Sequence, residues 1–150
     1  MSGSGTLRER ALRLLARREH SRIELARKLA AHAESADALE LLLDDLTARR
    51  LLSDERYVEM RMNARGARFG NARLAHEFRT QGVAGELVDA ALSSGPDELA
   101  RAREVWQRKF GDKPEAQDAA GRARQVRFLM GRGFSGETIR RVLRGDFEDD

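Results

Sequence analysis

Cysteine is absent from the 150 residues of this chain. Without cysteine there can be neither a disulfide framework nor a thiolate metal site, so we expect a reducing compartment. No apolar run approaches the roughly 20 residues that a membrane-spanning helix needs, and residues 1–5 lack the apolar core of a secretory signal. We therefore expect a cytoplasmic protein that does not enter a membrane.

Residues with branched β-carbons are also scarce, and apolar residues nowhere alternate with a period of two, so no segment predicts a β-strand. Apolar residues spaced three and four apart instead predict about nine helices. Hydrophobic residues make up 41% and charged residues 35% of the chain, a balance that suits slim helices around a thin core. The predicted fold class is all-α.

Side chains typical of catalytic and metal sites are few and scattered. His20, His32 and His76 share no motif, and the end of the first helix, where His20 lies, mildly favours a cation. The stretch RGARFG (65–70) follows no strand and precedes no Lys-Ser or Lys-Thr pair, so it does not predict a phosphate loop. We predict no catalytic residue, no metal and no cofactor, and hence a protein that is not an enzyme.

The second half of the chain contains an internal repeat with an offset of 51 residues. GNARLAHEFRTQGVAGELVDAAL (70–92) aligns without gaps with GRARQVRFLMGRGFSGETIRRVL (121–143), so that Gly82 corresponds to Gly133. A more diverged copy, offset by 49 residues, begins at Ser21. Repeated helical units bury their apolar faces against neighbours and present long surfaces, which favours binding of a large partner over chemistry in a deep pocket.

We predict a tandem array of three three-helix repeats, elongated and curved. Its parts are a disordered N-terminus (1–5), the three repeats (6–52, 53–94 and 95–145) and an acidic tail (146–150). We expect the tail to be solvated and mobile, with screening of the preceding basic segment as the alternative.

Several helix ends can be predicted from individual residues. Ser21 and Glu24 predict a capping box at the start of the second helix, and Ser53 and Ser135 predict N-caps of later helices. Gly82 predicts a left-handed helix end.

In the third repeat, Pro96 predicts the first turn of a helix, and the segment 111–114 predicts its end. The next helix is expected to present Val126, Leu129 and Met130 as its apolar face and to stop at Gly133.

Arginine greatly outnumbers lysine, which occurs only at positions 28, 109 and 113. A GC-rich genome would produce such a bias, but guanidinium groups also bind phosphates and carboxylates in a bidentate way. Basic residues recur on the middle helix of each repeat, and we predict that they form a curved basic track. The track comprises Arg17, Arg18, Arg22, Lys28, Arg65, Arg68, Arg73, Arg79, Arg122, Arg124, Arg127, Arg132, Arg140, Arg141 and Arg144.

Such a track suits a polyanion or an acidic protein groove, and the alternative is a scatter of solvated charges. The net charge of +3 does not by itself indicate a nucleic-acid binder. Asn, Gln, Ser and Thr, which recognition helices use to contact base edges, are sparse here, so we do not expect sequence-specific DNA recognition.

The stretches ALRLLARREHSRIELARKL (11–29) and LLSDERYVEMRMNARGARFGNARLAHEFRTQGV (51–83) resemble the RecX family, bacterial regulators of the RecA recombinase. The most specific parts are Arg18-Glu19-x-Ser21-x-x-Glu24-Leu25-x-x-Lys28-Leu29 and Asp54-x-x-Tyr57, with Arg61, Gly70, Leu74, Phe78, Gly82 and Val83 behind it. Gln81 stands where lysine is common in the family, which removes one candidate contact.

The resemblance implies a protein that lodges in the helical groove of the RecA filament on single-stranded DNA. It implies that binding blocks filament extension, promotes disassembly and lowers the ATPase, strand-exchange and coprotease activities of RecA. We expect a monomer that binds RecA chiefly as filament; direct contact with DNA stays open. The residues alone leave two alternatives, namely a general DNA-binding module of basic helices and an adaptor for a different assembly.

Overall fold

The structure, a computed structural model, describes residues 5–94, 97–111 and 118–145. Within these ranges the chain forms nine α-helices and no β-strand, which confirms the predicted all-α repeat array. The helices are α1 (Leu7–Arg17), α2 (Arg22–Leu29), α3 (Ala36–Ala48), α4 (Asp54–Arg65), α5 (Asn71–Thr80), α6 (Gly85–Ser93), α7 (Glu98–Phe110), α8 (Ala119–Gly131) and α9 (Gly136–Arg144). None of the helices in these ranges is long and apolar enough to cross a bilayer.

Three hydrophobic clusters follow one another along the chain, each built from three consecutive helices. We call α1–α3, α4–α6 and α7–α9 the first, second and third units. Their cores contain Ala11, Leu25, Leu29, Leu43, Leu46 and Leu52 in the first; Tyr57, Val58, Phe69, Leu74, Ala75, Phe78, Val83 and Val88 in the second; and Leu99, Ala102, Val105, Leu129, Phe134, Ile139 and Val142 in the third. Each unit therefore has a core of its own.

The predicted helix caps are largely confirmed. The hydroxyls of Ser53 and Ser135 accept hydrogen bonds from backbone N–H groups three residues later, at 3.2 Å in both cases. The Ser21 hydroxyl likewise accepts from the Glu24 N–H at 3.0 Å, but the Glu24 carboxylate accepts from Arg18. The predicted capping box is thus only half formed, because a guanidinium is the stronger partner for that carboxylate.

In the third unit, one predicted apolar position is exposed, and one predicted helix start lies outside the described residues. Met130 was expected on the apolar face of α8 but is 60% exposed, because it lies one residue beyond the buried Leu129 and turns away from the core. α7 begins at Glu98 with Asp97 as its cap, whereas the predicted start at Pro96 lies outside the described residues. Residues 1–4, 112–117 and 146–150, which include most of the predicted disordered N-terminus and all of the acidic tail, also lie outside them.

Adjacent units meet in a junction that occurs twice with equivalent residues. The turn after α5 packs on the start of α2, where the Ser21 hydroxyl donates to the Gln81 carbonyl at 2.8 Å. The turn after α8 packs in the same way on the start of α5, where the Gly70 N–H donates to the Arg132 carbonyl at 2.7 Å. These positions correspond under the repeat offsets, so the sequence repeat is also a repeat of docking contacts.

Glycine is required at these junctions by space and by backbone conformation. Gly82 and Gly133, in the two turns, have φ of +71° and +91°, which confirms the left-handed helix end predicted at Gly82. A Cβ on Gly82 would clash with the Ile23 side chain, and one on Gly133 would clash with Arg73. A Cβ on Gly70 would collide with the backbone of Gly133.

A carboxylate at the start of each following unit completes the junction. Asp54, the first residue of α4, accepts from the N–H of Arg22 at 2.8 Å. Glu98, the first residue of α7, accepts from the N–H of Asn71 at 2.7 Å. Both carboxylates therefore cap the middle helix of the preceding unit, whose free N–H groups and positive dipole end favour an anion.

The outer ends of the array lack these contacts. In the first unit the position equivalent to Gly82 is Ala33, which follows the 3₁₀ turn Ala30–His32 and has an extended backbone (φ −82°). In the third unit α8 starts at Ala119, three residues before the position equivalent to the start of α5, and its own Asp118 caps it. α8 therefore begins earlier in the repeat than α5 does, and an acid of its own unit caps it.

Candidate polyanion-binding surface

Basic residues of the first unit are largely engaged within that unit. Arg18 forms a bidentate ion pair with Glu24, with distances of 3.0 and 2.5 Å. Arg22 bridges to Glu40 and, at 2.8 Å, to Asp44 on α3. Burial raises the pKa of Glu24, but the hydrogen bonds and positive charge of Arg18, together with the charge of Lys28, hold that pKa below its ordinary value. These groups join α2 to its neighbours and offer little free charge to a partner.

Lys28 belongs to the same network through His20. The Lys28 Nζ lies 2.9 Å from His20 Nε2, and His20 Nδ1 lies 3.0 Å from the Arg18 carbonyl oxygen. An ammonium donates and a carbonyl accepts, so His20 is neutral with its proton on Nδ1. Burial lowers the pKa of His20 most, against the opposing hydrogen bond to Arg18. The expectation that this position favours a histidine cation is therefore wrong, because the ring is only 1% exposed.

Three predicted track residues converge at the junction of the second and third units, around the ring of Phe69. The guanidinium carbons of Arg65 and Arg73 lie 4.4 and 4.3 Å from the ring centroid, and that of Arg132 lies 5.3 Å away. These residues come from the end of α4, the first half of α5 and the turn after α8. The aromatic face attracts cations, and it therefore holds three positive groups together that would otherwise repel one another.

A single carboxylate, that of Glu77, serves several guanidinium groups at this place. Arg65 binds it in a bidentate way at 2.6 and 2.9 Å, while Arg73 and Arg61 approach it at 3.9 and 4.0 Å. Arg132 joins this group through Phe69, so four guanidinium groups and one acid lie together, with a local charge of about +3. We call Arg61, Arg65, Phe69, Arg73, Glu77 and Arg132 the arginine cluster.

A second ring extends the arginine cluster toward α7. Phe128 lies 5.1 Å from the guanidinium carbon of Arg132 and 5.3 Å from Lys109 Nζ. Its edge meets the ring of Phe110 at a centroid distance of 5.5 Å. Arg132 thus lies between two rings, and Lys109 adds a further cation beside it.

The loop that carries Phe69 is held from the third unit by Arg101. This buried guanidinium donates to the carbonyl oxygens of Phe69 at 3.0 Å and Gly66 at 3.3 Å, and also to the side chain of Asn71. Burial lowers the pKa of Arg101. Its hydrogen bonds fix the backbone on which the arginine cluster is arranged.

Most of the other predicted track residues are exposed. Arg122, Arg127 and Arg140 are exposed and have no ion-pair partner in the part of the chain that the structure describes. The remaining predicted residues are Arg17, Arg68, Arg79, Arg124 and Arg144, which are exposed, and Arg141, which is half-buried. The structure therefore gathers Arg65, Arg73 and Arg132 around one ring, whereas the other predicted track residues lie outside this cluster.

Sequence reasoning missed Phe69, Arg61, Glu77 and Lys109. The stretch RGARFG (65–70) was a candidate for a phosphate loop only. An aromatic residue close to several arginines is, however, itself an indication of cation–π contacts. Glu77 and Lys109 are ordinary helix-surface residues in the sequence, and only the junction brings them to the cluster. Among the residues described, no group of His, Asp and Glu is arranged to hold a metal ion.

Comparison with known proteins places the chain in a family. Residues 53–92 match the family model described as the second three-helix domain of RecX, and residues 96–143 match that of the third. The protein named regulatory protein RecX of Leptothrix cholodnii is 50% identical over 147 residues, covering 97% of this chain and 92% of that protein. The protein of the same name from Herminiimonas arsenicoxydans is 47% identical over 146 residues, with 97% and 95% covered.

The fold agrees with these matches. The crystal structure of RecX from Lactobacillus salivarius superimposes with a TM-score of 0.78 at 17% identity, over 93% of this chain and 94% of that one. Near-complete coverage at about half identity, together with both domain matches, establishes that this chain belongs to the RecX family, whose matched members are named regulatory proteins.

Proposed function

We propose that this RecX-family protein regulates RecA by binding the RecA filament on single-stranded DNA and lowering its ATPase, recombinase and coprotease activities. On this proposal it acts in the cytoplasm, as a monomer, by binding rather than by catalysis, and without a cofactor. The family membership supports a regulatory role, and the implied partner of that family is RecA.

The observation that carries the proposal is the arginine cluster. Arg61, Arg65 and Arg73 approach the Glu77 carboxylate within 4.0 Å, and Arg65, Arg73 and Arg132 lie over the face of Phe69. One carboxylate cannot satisfy the N–H donors of all these groups. Such a preorganised cationic surface loses little side-chain entropy when it binds phosphate or carboxylate oxygens. Arg122 and Arg127 on α8 and Arg140 on α9 extend the positive charge over the third unit.

The junctions give this surface its selectivity for a polymer. Because each junction uses the same contacts, the units keep a defined spacing, and several sites on one filament can be engaged at once. Each further contact then forms at a high effective concentration, so modest local affinities add up to strong filament binding. Free RecA monomers, which offer one contact at a time, bind much more weakly.

The test is a titration of this protein into RecA, single-stranded DNA and ATP while ATP hydrolysis is followed. We expect inhibition at well below one molecule per RecA protomer. The double variant Arg122→Glu, Arg127→Glu should require about tenfold more protein, because exposed charge contacts each contribute up to roughly 1 kcal/mol and reversal adds repulsion. The control, Arg49→Glu directly after α3 in the first unit, should inhibit as the wild type does.

A second candidate is a general DNA-binding module, which the arginine–aromatic cluster favours because such surfaces also bind the phosphates of bare DNA. Competition between RecA-coated and bare single-stranded DNA separates the two. Preference for the coated strand supports the RecA regulator, and equal affinity supports the module. Inhibition that is unchanged in the double variant would instead support the adaptor, in which the arginines serve only solubility.

A further inference from the structure

A second surface of the protein is an open apolar cleft where α4, α6 and α7 meet. It has a volume of about 780 Å³. Its walls are formed by small and apolar side chains, among them Val58 and Met62 of α4, Ala90 and Ala91 of α6, and Ala100 of α7. In small soluble proteins, an exposed apolar cleft of this size usually marks a binding site.

The shape of the cleft suits a helix. The lining residues of α4 run from Glu55 to Gly66 at helical spacing, and those of α6 are Leu87, Ala90, Ala91 and Ser94. Two helices thus form walls of a slot whose length is about 16 Å, which corresponds to roughly three helical turns. The alanines and Gly66 allow the backbone of an added helix to come close.

A neighbouring cleft at the junction of the first and second units is smaller, at about 560 Å³, and shares Glu55 and Leu87 with the apolar cleft. Its other lining residues include Arg22, Arg50, Asp54 and Arg56, of which Arg22, Asp54 and Arg56 are engaged in junction contacts or ion pairs. The lining of this neighbouring cleft is therefore more strongly charged than that of the apolar cleft.

The charged residues of the cleft walls indicate the sign of the charge that a bound partner carries. Glu55 and Glu59, one helical turn apart on α4, are exposed and have no ion pair in the described ranges. The α7 wall carries charges of both signs, since Arg103 lines the cleft beside Glu104, which Arg108 approaches at 3.7 Å. The guanidinium of Arg101, at the floor, is directed to the Gly66 and Phe69 carbonyls. The α4 wall is thus acidic in a protein of net charge +3.

We propose that this cleft binds an amphipathic helix of a partner protein, with apolar side chains in the slot and a Lys or Arg against Glu55 and Glu59. This surface is separate from the arginine cluster, and the two together would contact a partner through opposite charges. That the helix belongs to RecA rests on the proposed function; that the cleft takes a basic amphipathic helix does not.

The direct test uses a fluorescein-labelled helical peptide of leucine, alanine and lysine, about 15 residues long, and a matched peptide with glutamate in place of lysine. We expect the lysine peptide to bind at least tenfold more tightly. Ala90→Arg and Glu59→Lys should each abolish that difference, whereas Ala48→Arg on α3 should preserve it. Equal binding of both peptides, or binding unaffected by Ala90→Arg, overturns the proposal. Circular dichroism and thermal unfolding confirm that each variant is folded.

The source of the helix is identified by photo-cross-linking from p-benzoylphenylalanine at position 63, an exposed lining position of α4, in the presence of RecA filaments. A cross-link to a RecA helix that carries Lys or Arg supports the assignment. A cross-link to a second copy of this chain overturns it. Inhibition of RecA without any cross-link from position 63 also overturns it and leaves the proposed function standing, whereas absence of inhibition by the wild type would count against the proposed function alone.

Discussion

Gly70 shows how one residue sets the distance between units. Its φ of −82° is accessible to any residue, so alanine is excluded there by space and not by backbone conformation. The position that a Cβ would take is filled by the backbone of Gly133 and Phe134, which cannot rotate away as a side chain can. Sequence reasoning aligned Gly70 with Gly121 but assigned it no role, because the backbone that approaches it lies more than 60 residues away.

We predict that Gly70→Ala lowers the free energy of unfolding by about 1–3 kcal/mol, the usual range for overpacking. The control is Gly131→Ala, at the end of α8, where nothing lies within 4 Å of the added Cβ. Alanine there should be neutral or stabilising by up to about 1 kcal/mol, because it favours the helix. Urea unfolding measures both, and similar stability of the two variants would contradict the proposed close approach.

His20 is the residue with the clearest link to pH. Its pKa is lowered in the folded state by burial, whereas in the unfolded chain it has an ordinary value near 6.5. Below that value the unfolded state binds a proton that the folded state does not. The groups that face it are Arg18, Glu24 and Lys28, and a protonated ring would displace the Lys28 ammonium from Nε2.

We therefore expect the free energy of unfolding to be constant above about pH 6.5 and to fall as the pH is lowered from there toward the folded-state pKa of His20. Glu24 acts in the same direction only at lower pH, since its folded pKa lies below the ordinary carboxyl value. In urea unfolding at several pH values, His20→Gln should flatten the slope between about pH 6.5 and 5. His76→Gln, which changes an exposed ring, should leave it unchanged.

At the level of elements, the sequence predicted the helices but not the capping of a helix N-terminus by residues from another unit. Apolar spacing and local caps such as Ser53 and Ser135 predicted all nine helices, because these features act within a few residues. α5, by contrast, has no side-chain cap of its own, and the N–H groups of Asn71 and Ala72 donate to Glu98 and to the Gly133 carbonyl. Such long-range capping leaves no local pattern in the sequence.

Glu98 joins three helices and should be the most sensitive carboxylate in the protein. Besides the Asn71 N–H, it accepts from the Thr138 hydroxyl at 2.8 Å and the Ser135 N–H at 3.3 Å. Glu98→Ala should cost about 1–3 kcal/mol, because it removes charged hydrogen bonds at two helix starts. The amide of Asn71 should then exchange faster with deuterium. Glu86→Ala, in the exposed first turn of α6, is the matched control and should change neither quantity.

At the scale of the whole molecule, the family and the array followed from sequence patterns, while the binding surface followed only partly. The predicted track contained Arg65, Arg73 and Arg132, which the fold brings around Phe69. It also contained Arg18 and Arg22, which neutralise acids in their own unit. Helical spacing gives the face of a side chain, but it does not show which acid from another helix meets it.

The charge of the surface leads to a prediction for salt. If about three phosphates are neutralised, affinity for RecA filaments should fall roughly 20- to 40-fold between about 50 and 200 mM salt. The Arg122→Glu, Arg127→Glu variant should show a shallower dependence than Arg49→Glu. Filament co-sedimentation at several salt concentrations measures this, and an affinity independent of salt would remove the electrostatic contribution from the proposal.

The two outer ends of the array, with an extended Ala33 at one and the early start of α8 at the other, have a consequence for assembly. Interfaces in which a patch on one subunit meets a different patch on the next generate rings or open filaments when both patches are left free. Because neither end reproduces the junction, we predict that one molecule does not recruit another through it. On the proposed function, the length of filament that each bound molecule covers would then be fixed and independent of protein concentration.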